Sequence, residues 1–448
     1  MRRFGLWIWV LTLGSLQAVS EPKALWGIPI SEYAERRQAL SRTLESDQMV
    51  ILMAESSPPT RMRFRQENNF MYLTGVETPN AVLVILPEDS PMEEKSVLFL
   101  QRRSRMSQIF EGPAPEPNEE TRRELAVDAV RDRREFNDFL SEALTHHPKL
   151  LTNRPARTAL PEILRSLEME AQIGSVDRSM ALMRVVKSPA ELALMRRAVA
   201  ISLEAHRALA RRVAPGVYEY ELEAAVLEAF RRNGAEREAY PCIIGSGPNA
   251  CILHYNANKR KLQAGELVLV DVGAEYSYYA ADITRTYPVS GKFTPRQREL
   301  YNAVLEAMKV AEREAKPGVT LRQLHNKVVE FFRNHSLRAK DENGEERNLD
   351  HFFVHGLSHM VGMDVHDPDP NQPLRPGMVF TIEPGLYIPS ENIGIRIEDD
   401  YLVTETGVVN LSASLPKTAE AIERLVQEGR RSSTPATPAR PRQPARSR

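Results

Sequence analysis

From Ile28 to about Leu44 polar and apolar residues recur at helical spacing (Tyr33, Arg36, Arg37, Leu40, Leu44), which predicts a helix. The apolar run Met49–Met53 predicts a strand. So do Phe64 to Gly75, Ala81 to Leu86 and Ser96 to Leu100, each bounded by turn residues. Leu125 to Leu144 and Pro161 to Leu167 predict helices. Strands alternating with helices define an α/β domain over residues 21–182.

A sharper signal follows. In Lys187-Ser-Pro-Ala-Glu191, Ser188 can cap a helix, Pro189 suits its first position and Glu191 completes a capping box. The helix should run to about Val213 and stop at Pro215-Gly216; Tyr220 to Asn233 predicts a second, closed by Gly234. From Tyr240 short strands and glycine turns take over, interrupted by helices at about 295–316 and 321–335. Gly265 to Asp271 predicts a buried strand with a hairpin partner in Tyr276 to Tyr287. Met378–Glu383 and Ile393–Val403 predict a second pair. Long helices beside hairpin-built sheet give an α+β domain over 183–428. Beyond Gly429, Ser, Thr, Pro, Ala and Arg dominate without an apolar period, a composition expected to stay disordered through 429–448.

The ends change the charge picture. The formal net charge is −1, yet Arg2, Arg3 and six arginines from Arg430 onward sit outside the body, leaving it 51 basic and 60 acidic residues, or −9. That excludes the basic face nucleic acid requires. Arg2-Arg3, the apolar run Phe4 to Leu16 and Ala18-Val19-Ser20 read as a secretory signal over residues 1–20, so an exported, periplasmic or extracellular protein is expected. The run is shorter than the ~20 residues that span a bilayer, and no later segment is apolar enough for stable membrane insertion. Cys242 and Cys251 are too few for a disulfide scaffold and lack structural-zinc spacing.

Candidate chemistry centres on His355-Gly-Leu-Ser-His-Met-Val-Gly-Met-Asp-Val-His366, which holds three of the ten histidines. Asp271 and Asp282 precede it, Glu383 and Glu398 follow it, and each acid lies in a run that reads as a strand. A carboxylate deep in Leu267-Val-Leu-Val-Asp271 is costly to ionise unless something pairs with it. A hairpin can bring Asp282 beside it, and a dication would relieve the repulsion. Arg396 and Glu398, two apart, share one strand face. Four carboxylates with one imidazole favour hard ions such as Mn²⁺, and that much negative charge suits two ions better than one. His355 and His359 have i, i+4 spacing, but Gly356 and Gly362 and the lack of an intervening Glu count against a zinc helix. His254, in Ile252-Leu-His-Tyr255, is weaker taken alone.

These runs carry a resemblance. Ile244-Gly-Ser-Gly-Pro-Asn, Leu269-Val-Asp-Val-Gly, Ala281-Asp-Ile-Thr-Arg-Thr, His355-Gly-Leu-Ser-His, Asp364-Val-His-Asp, Thr381-Ile-Glu-Pro-Gly-Leu-Tyr and Gly394-Ile-Arg-Ile-Glu-Asp-Asp occur in order. Together they resemble the pita-bread metallopeptidases, and within them the Xaa-Pro aminopeptidases. Phe64 to Gly75 resembles that family's creatinase-like N-terminal domain. The resemblance implies an α+β pita-bread catalytic domain and a dinuclear centre, typically manganese, held by Asp271, Asp282, His359, Glu383 and Glu398. It implies attack by a metal-bridged hydroxide on the peptide bond before a proline at the second position. Glu383 would shuttle the proton, His366 and His254 would stabilise the oxyanion, and His355 and Arg396 would lie near the proline pocket with Tyr387 behind them. It further implies a homodimer or homotetramer. A prolidase restricted to Xaa-Pro dipeptides would use the same ligands; a non-catalytic binding module of this fold should have lost some of them.

Overall fold

The computed structural model describes residues 23–58 and 63–433. The expected secretory signal, and the C-terminal tail from residue 434, lie outside these.

A six-stranded mixed sheet forms the core of the N-terminal region. Its spatial order is Ala129–Asp132, Ser96–Leu100, Val82–Ile85, Gln48–Met53, Lys149–Thr152 and Gln172–Ser175. Gln48–Met53 pairs antiparallel with Val82–Ile85 and parallel with Lys149–Thr152. Its near-continuous apolar sequence fits a strand covered on both faces.

Several expectations are corrected here. Phe64 to Gly75 is not a strand: Asn68–Thr74 is a helix, with Glu67 accepting from the Phe70 N–H and Gly75 closing it at φ 65°. Every residue of that helix is buried, so no polar face marked its period. Leu125 to Leu144 is not one helix either. Glu119–Leu125 ends at Ala126 in the left-handed region, the strand Ala129–Asp132 follows, and a helix resumes at Phe136–Leu144. The helix expected from Pro161 begins earlier, at Arg154, capped by Asn153, and carries Pro161 inside it.

The C-terminal region repeats the same order of elements. Pro189–Ala210, with the capping box read from sequence, and Glu219–Arg232 form a helix pair. The sheet after them places Leu267–Asp271 between Ile243–Ser246 and Thr284–Pro288, both antiparallel. Pro295–Glu314 and Leu321–Asn334 form the next pair, each with a Thr/Gln capping box. Val379–Ile382 then pairs with Asp399–Val403, and Gly385–Ile388 with Ile393–Arg396. The expected strand Ile393–Val403 is therefore broken at Ile397-Glu398, and its two halves serve different sheets. Leu267, Val268, Val270, Ile395 and Ile397 lie in one continuous core with the helices.

Two glycines permit the close approach of these strands. A Cβ at Gly273 would fall 1.8 Å from the Ala281 carbonyl oxygen, and one at Gly394 1.9 Å from that of Ala250. Only hydrogen fits at either. The last helix, Ala419–Ser433, runs past Gly429, where a disordered tail was expected to start. Gly429 lies against the Arg211 backbone, where a Cβ would come within 2.2 Å of its Cα.

The two regions share buried contacts. Glu191 lies 3.3 Å from Arg36 and accepts from the Tyr279 hydroxyl. Arg184 donates to Asn69, Asp364 and Asp367, and Asn68 donates to the Met363 carbonyl. The N-terminal region thereby clamps the 361–367 loop that carries His366.

Candidate metal centre

Strand ends deliver the four carboxylates. Asp271 is the last residue of its strand, Asp282 lies two residues before Thr284–Pro288, Glu383 follows Ile382, and Glu398 fills the break between Arg396 and Asp399. Only Asp271 is thus within a strand, as all four were expected to be. Leaving the ladder frees Asp282, Glu383 and Glu398 to turn into the cleft, while Asp271 reaches it from the paired end of its strand.

A fully buried ion pair fixes that geometry. Arg285 donates to Asp399 Oδ1 at 2.7 Å, and also to the Thr284 and Glu398 carbonyls, tying the Asp282 side of the cleft to the Glu398 side. Burial alone would raise the Asp399 pKa, but Arg285 and Lys417 hold it down to about 2.

His359 is locked to the strand Val379–Ile382: its N–H donates to Thr381 Oγ1 and its carbonyl accepts from the Thr381 N–H. Its Nδ1 lies 3.1 Å from the Met360 carbonyl, which places the ring proton there. Nε2 keeps its lone pair and faces Asp282 Oδ2 at 3.3 Å and Glu383 Oε1 at 3.5 Å. A carbonyl holding the far nitrogen is the usual setting of a metal-binding histidine. The segment carrying His355 and His359 is irregular rather than helical, in line with the sequence objection to a zinc helix.

The other predicted residues come to the same place. A cleft of about 320 Å³ is lined by His254, Asp271, Asp282, His355, His359, His366, Glu383, Arg396 and Glu398. A second space of about 310 Å³ adjoins it through His254, Asp271, Asp282 and His366. Ligand atoms of Asp282, His359 and Glu398 all lie within 4.8 Å of one another. Asp271 is held slightly apart by Arg396, whose Nη2 reaches it at 2.6 Å. Arg396 also donates to Tyr387, whose hydroxyl meets His355 Nε2 at 2.9 Å. His355 Nδ1 in turn meets the Gly356 carbonyl. The ring of His366 stacks on that of His359 at 3.9 Å.

Electrostatics set the cluster apart. Burial raises Asp282, Glu383 and Glu398 well above the ordinary carboxylate range, and their mutual repulsion adds to it: Asp271 acts on Asp282, and Asp282 on Glu398. Asp400, buried behind Asp282, is raised for the same reasons, and its Oδ1 has no partner. Burial, helped by Arg396 for His355 and by His359 for His366, lowers both rings to about 4, so both are neutral at pH 7. Arg396 is the one permanent cation among the lining residues. Four acids, one arginine and a correctly oriented imidazole make a donor set of hard oxygens with a deficit of positive charge. Divalent metal ions fit it.

Three contributors escaped the sequence reading. The Tyr240 hydroxyl lies 2.6 Å from Asp271 Oδ1 and 2.5 Å from Asp282 Oδ1. One hydroxyl proton cannot serve both acceptors, so the raised pKa of Asp282 supplies the second. Thr284 donates to Glu398 at 2.6 Å, and Asp400 accepts from the Asp282 N–H. Thr284 follows Asp282 by two and Asp400 follows Glu398 by two, an alternation that could have flagged them. Tyr240 carried no such signal.

Comparison with known proteins agrees with this geometry. The chain is 36% identical over 441 residues to the Xaa-Pro aminopeptidase of Escherichia coli, covering 89% of this chain and 98% of that protein. Residues 193–405 match metallopeptidase family M24, and residues 33–151 match the aminopeptidase P N-terminal domain. The chain belongs to metallopeptidase family M24. Another relative is the mitochondrial intermediate cleaving peptidase 55 of Arabidopsis thaliana, 33% identical over 91% of this chain and 85% of its own length. The solved structure of E. coli aminopeptidase P with the inhibitor Pro-Leu superposes with a TM-score of 0.82 at 35% identity, covering 90% of this chain and 99% of that one. The C-terminal region is therefore the M24 pita-bread domain expected from sequence. M24 membership carries with it divalent metal ions.

Proposed function

We propose that the protein is an Xaa-Pro aminopeptidase, a hydrolase that removes the first residue from peptides with proline second. The observation that carries this reading is the convergence of Asp271, Asp282, His359, Glu383 and Glu398 in one cleft, beside the Arg396–Tyr387–His355 chain. Those five side chains would hold two divalent cations. When bound, the ions, for which the oxygen-rich set suits Mn²⁺, supply Lewis-acid polarisation of the carbonyl and lower the pKa of the attacking water.

The chain's own residues do the rest. Glu383, whose burial beside Glu398 raises its basicity, would as the ionised carboxylate take a proton from the water and deliver it to the proline nitrogen as that nitrogen departs. His366 and His254 line the cleft and would donate hydrogen bonds to the scissile carbonyl oxygen as charge develops there. Neutral His366 still has one N–H for this. His355 and Arg396, bridged from behind by the Tyr387 hydroxyl, present a rigid wall to the proline ring. Xaa-Pro lacks the amide N–H that strand-binding peptidases use, so shape at this wall replaces it. The acid-rich cleft suits the substrate's α-amino group.

The test is hydrolysis of an Xaa-Pro-Yaa tripeptide, its Xaa-Pro dipeptide and an Xaa-Ala-Yaa control by metal-stripped protein, with and without Mn²⁺. Manganese-dependent release of Xaa from the proline tripeptide alone is expected. Cleavage of the dipeptide only would make the protein a prolidase, and silence throughout would return it to a binding module.

Two further readings belong to the same proposal. The signal-like residues 1–20 support export to a periplasmic or extracellular location, checked by N-terminal sequencing of protein recovered outside the cytoplasm. The resemblance supports a homodimer or homotetramer, checked by light scattering. No helix among the described residues is long and apolar enough to cross a membrane.

A further inference from the structure

A second cavity opens beside the cleft. This groove, about 530 Å³, is lined by Leu321, Arg322, His325, Phe353, Val354 and the segment His355–Ser358. It shares His355, Gly356 and Ser358 with the metal cleft, so the two are continuous along one stretch of chain. Their charges are opposite. Four carboxylates face the cleft, whereas the groove has no acidic lining residue and one arginine. Among the described residues Arg322 forms no ion pair. It projects from the first turn of Leu321–Asn334 and is exposed.

Two lining residues carry polar atoms that the fold leaves without partners beneath the groove's surface. Ser358 Oγ and His325 Nδ1 are buried without a hydrogen-bond partner. Burial lowers the His325 pKa, so its ring is neutral and carries one proton. Val354 is 61% exposed, and Phe353 packs against both His325 and His355. The floor is thus apolar, with the exposed Arg322 as a charged donor at its edge.

A peptide is itself polarised, amino end positive and carboxyl end negative. We propose that the groove takes the residues that follow the proline, with Arg322 pairing with a carboxylate on them. That carboxylate is the C-terminus of a tripeptide or an acidic side chain at the third position. The inference rests on the aminopeptidase reading, which fixes the amino end at the metals. It makes Arg322 a determinant of which proline peptides are preferred.

The experiment compares KM for Xaa-Pro-Gly with Xaa-Pro-Gly amide, and for Xaa-Pro-Glu amide with Xaa-Pro-Gln amide, using Mn²⁺-loaded protein. At least one carboxylate-bearing peptide should have a KM lower by up to about fivefold, the upper end of what an exposed ion pair supplies. The first pair reads the C-terminal source and the second the side-chain source. Arg322→Gln should bring the favoured ratio near one, through KM rather than kcat, and Arg322→Lys should restore some of it. Ratios of one in the unaltered protein, or ratios that survive Arg322→Gln, overturn the groove assignment while leaving the aminopeptidase reading intact. Failure to cleave any of the four peptides overturns that reading and the groove with it.

Discussion

Arg396 Nη2 and Asp271 Oδ2 lie 2.6 Å apart across 125 residues of sequence, and both side chains are buried. The contact joins the strand Leu267–Asp271 to Ile393–Arg396 and places the cleft's one guanidinium against its first carboxylate. It also explains why Asp271 stands off from the point where Asp282, His359 and Glu398 meet. The arginine offsets some of the negative charge of the acid cluster and passes the restraint on to Tyr387 and His355.

Arg396→Ala should therefore act on stability as well as turnover. Removing one member of a buried pair strands the other, a loss of about 3–5 kcal/mol. Denaturant unfolding of the metal-free protein reads that cost. kcat/KM for the proline tripeptide should fall by at least ~10²-fold, since a misplaced wall and a misplaced ligand both degrade positioning. Arg396→Lys keeps the charge but not the fork that reaches Asp271 and Tyr387 together. It should recover stability more than activity.

The ligand set separates binding from chemistry. His359→Ala and Asp282→Asn remove donors at the centre of the cluster, so both should abolish turnover and lower the bound metal measured by elemental analysis. Glu383 lies beside that point rather than within it, 3.5 Å from His359 Nε2. Glu383→Gln should retain more metal than either while losing proton transfer. Full activity in a His359→Ala protein with no bound metal would refute the assignment.

Stability against pH follows from the raised carboxylates. Asp282, Glu383 and Glu398 hold protons in the metal-free fold at pH values where the unfolded chain, with carboxyl pKa near ~4, has lost them. The folded state then binds more protons, so stability falls as pH rises. His355 and His366, lowered to about 4, work in the opposite direction, but only below their unfolded value near 6.5. Above about pH 6.5 the histidines no longer oppose them, and the raised carboxylates alone set the sign within the cleft. The melting temperature of chelated protein should drop as pH rises above that value, and the gap to Mn²⁺-loaded protein should widen. A gap that narrows with rising pH would remove the carboxylate cluster as its cause.

Much of this site was legible because its residues break the local pattern. Asp271 ends a run of leucine and valine, and Glu383 follows Phe380-Thr-Ile382, so in each case an acid stands where an apolar residue belongs. The helix starting at Pro189 was equally legible, because its capping box lies within four consecutive residues. Legibility failed where packing alone decides. Asn68–Thr74 is buried on every side and shows no helical stripe, and Ala129–Asp132 is a four-residue strand lodged between two helices. It failed again where partners are distant. Arg285 meets Asp399 across 114 positions, and only the fold shows that this pair ties two sides of the cleft together.

Tyr240 is the residue for which sequence offered least and geometry most. Its hydroxyl touches Asp271 at 2.6 Å and Asp282 at 2.5 Å, and burial beside both acids raises its own pKa well above the ordinary phenol value. The phenol therefore stays protonated and acts as a donor to ligand carboxylates. Tyr240→Phe keeps the ring and deletes only that donor. Groups hydrogen-bonded to metal ligands typically contribute about 10–100-fold in metal affinity or activity. The Mn²⁺ dissociation constant from calorimetry should rise by a factor in that range, with thermal stability of the metal-loaded protein changed little at saturating Mn²⁺. Unchanged affinity would mean that Asp271 and Asp282 hold their positions through Arg396 and the Asp282 N–H to Asp400 bond alone.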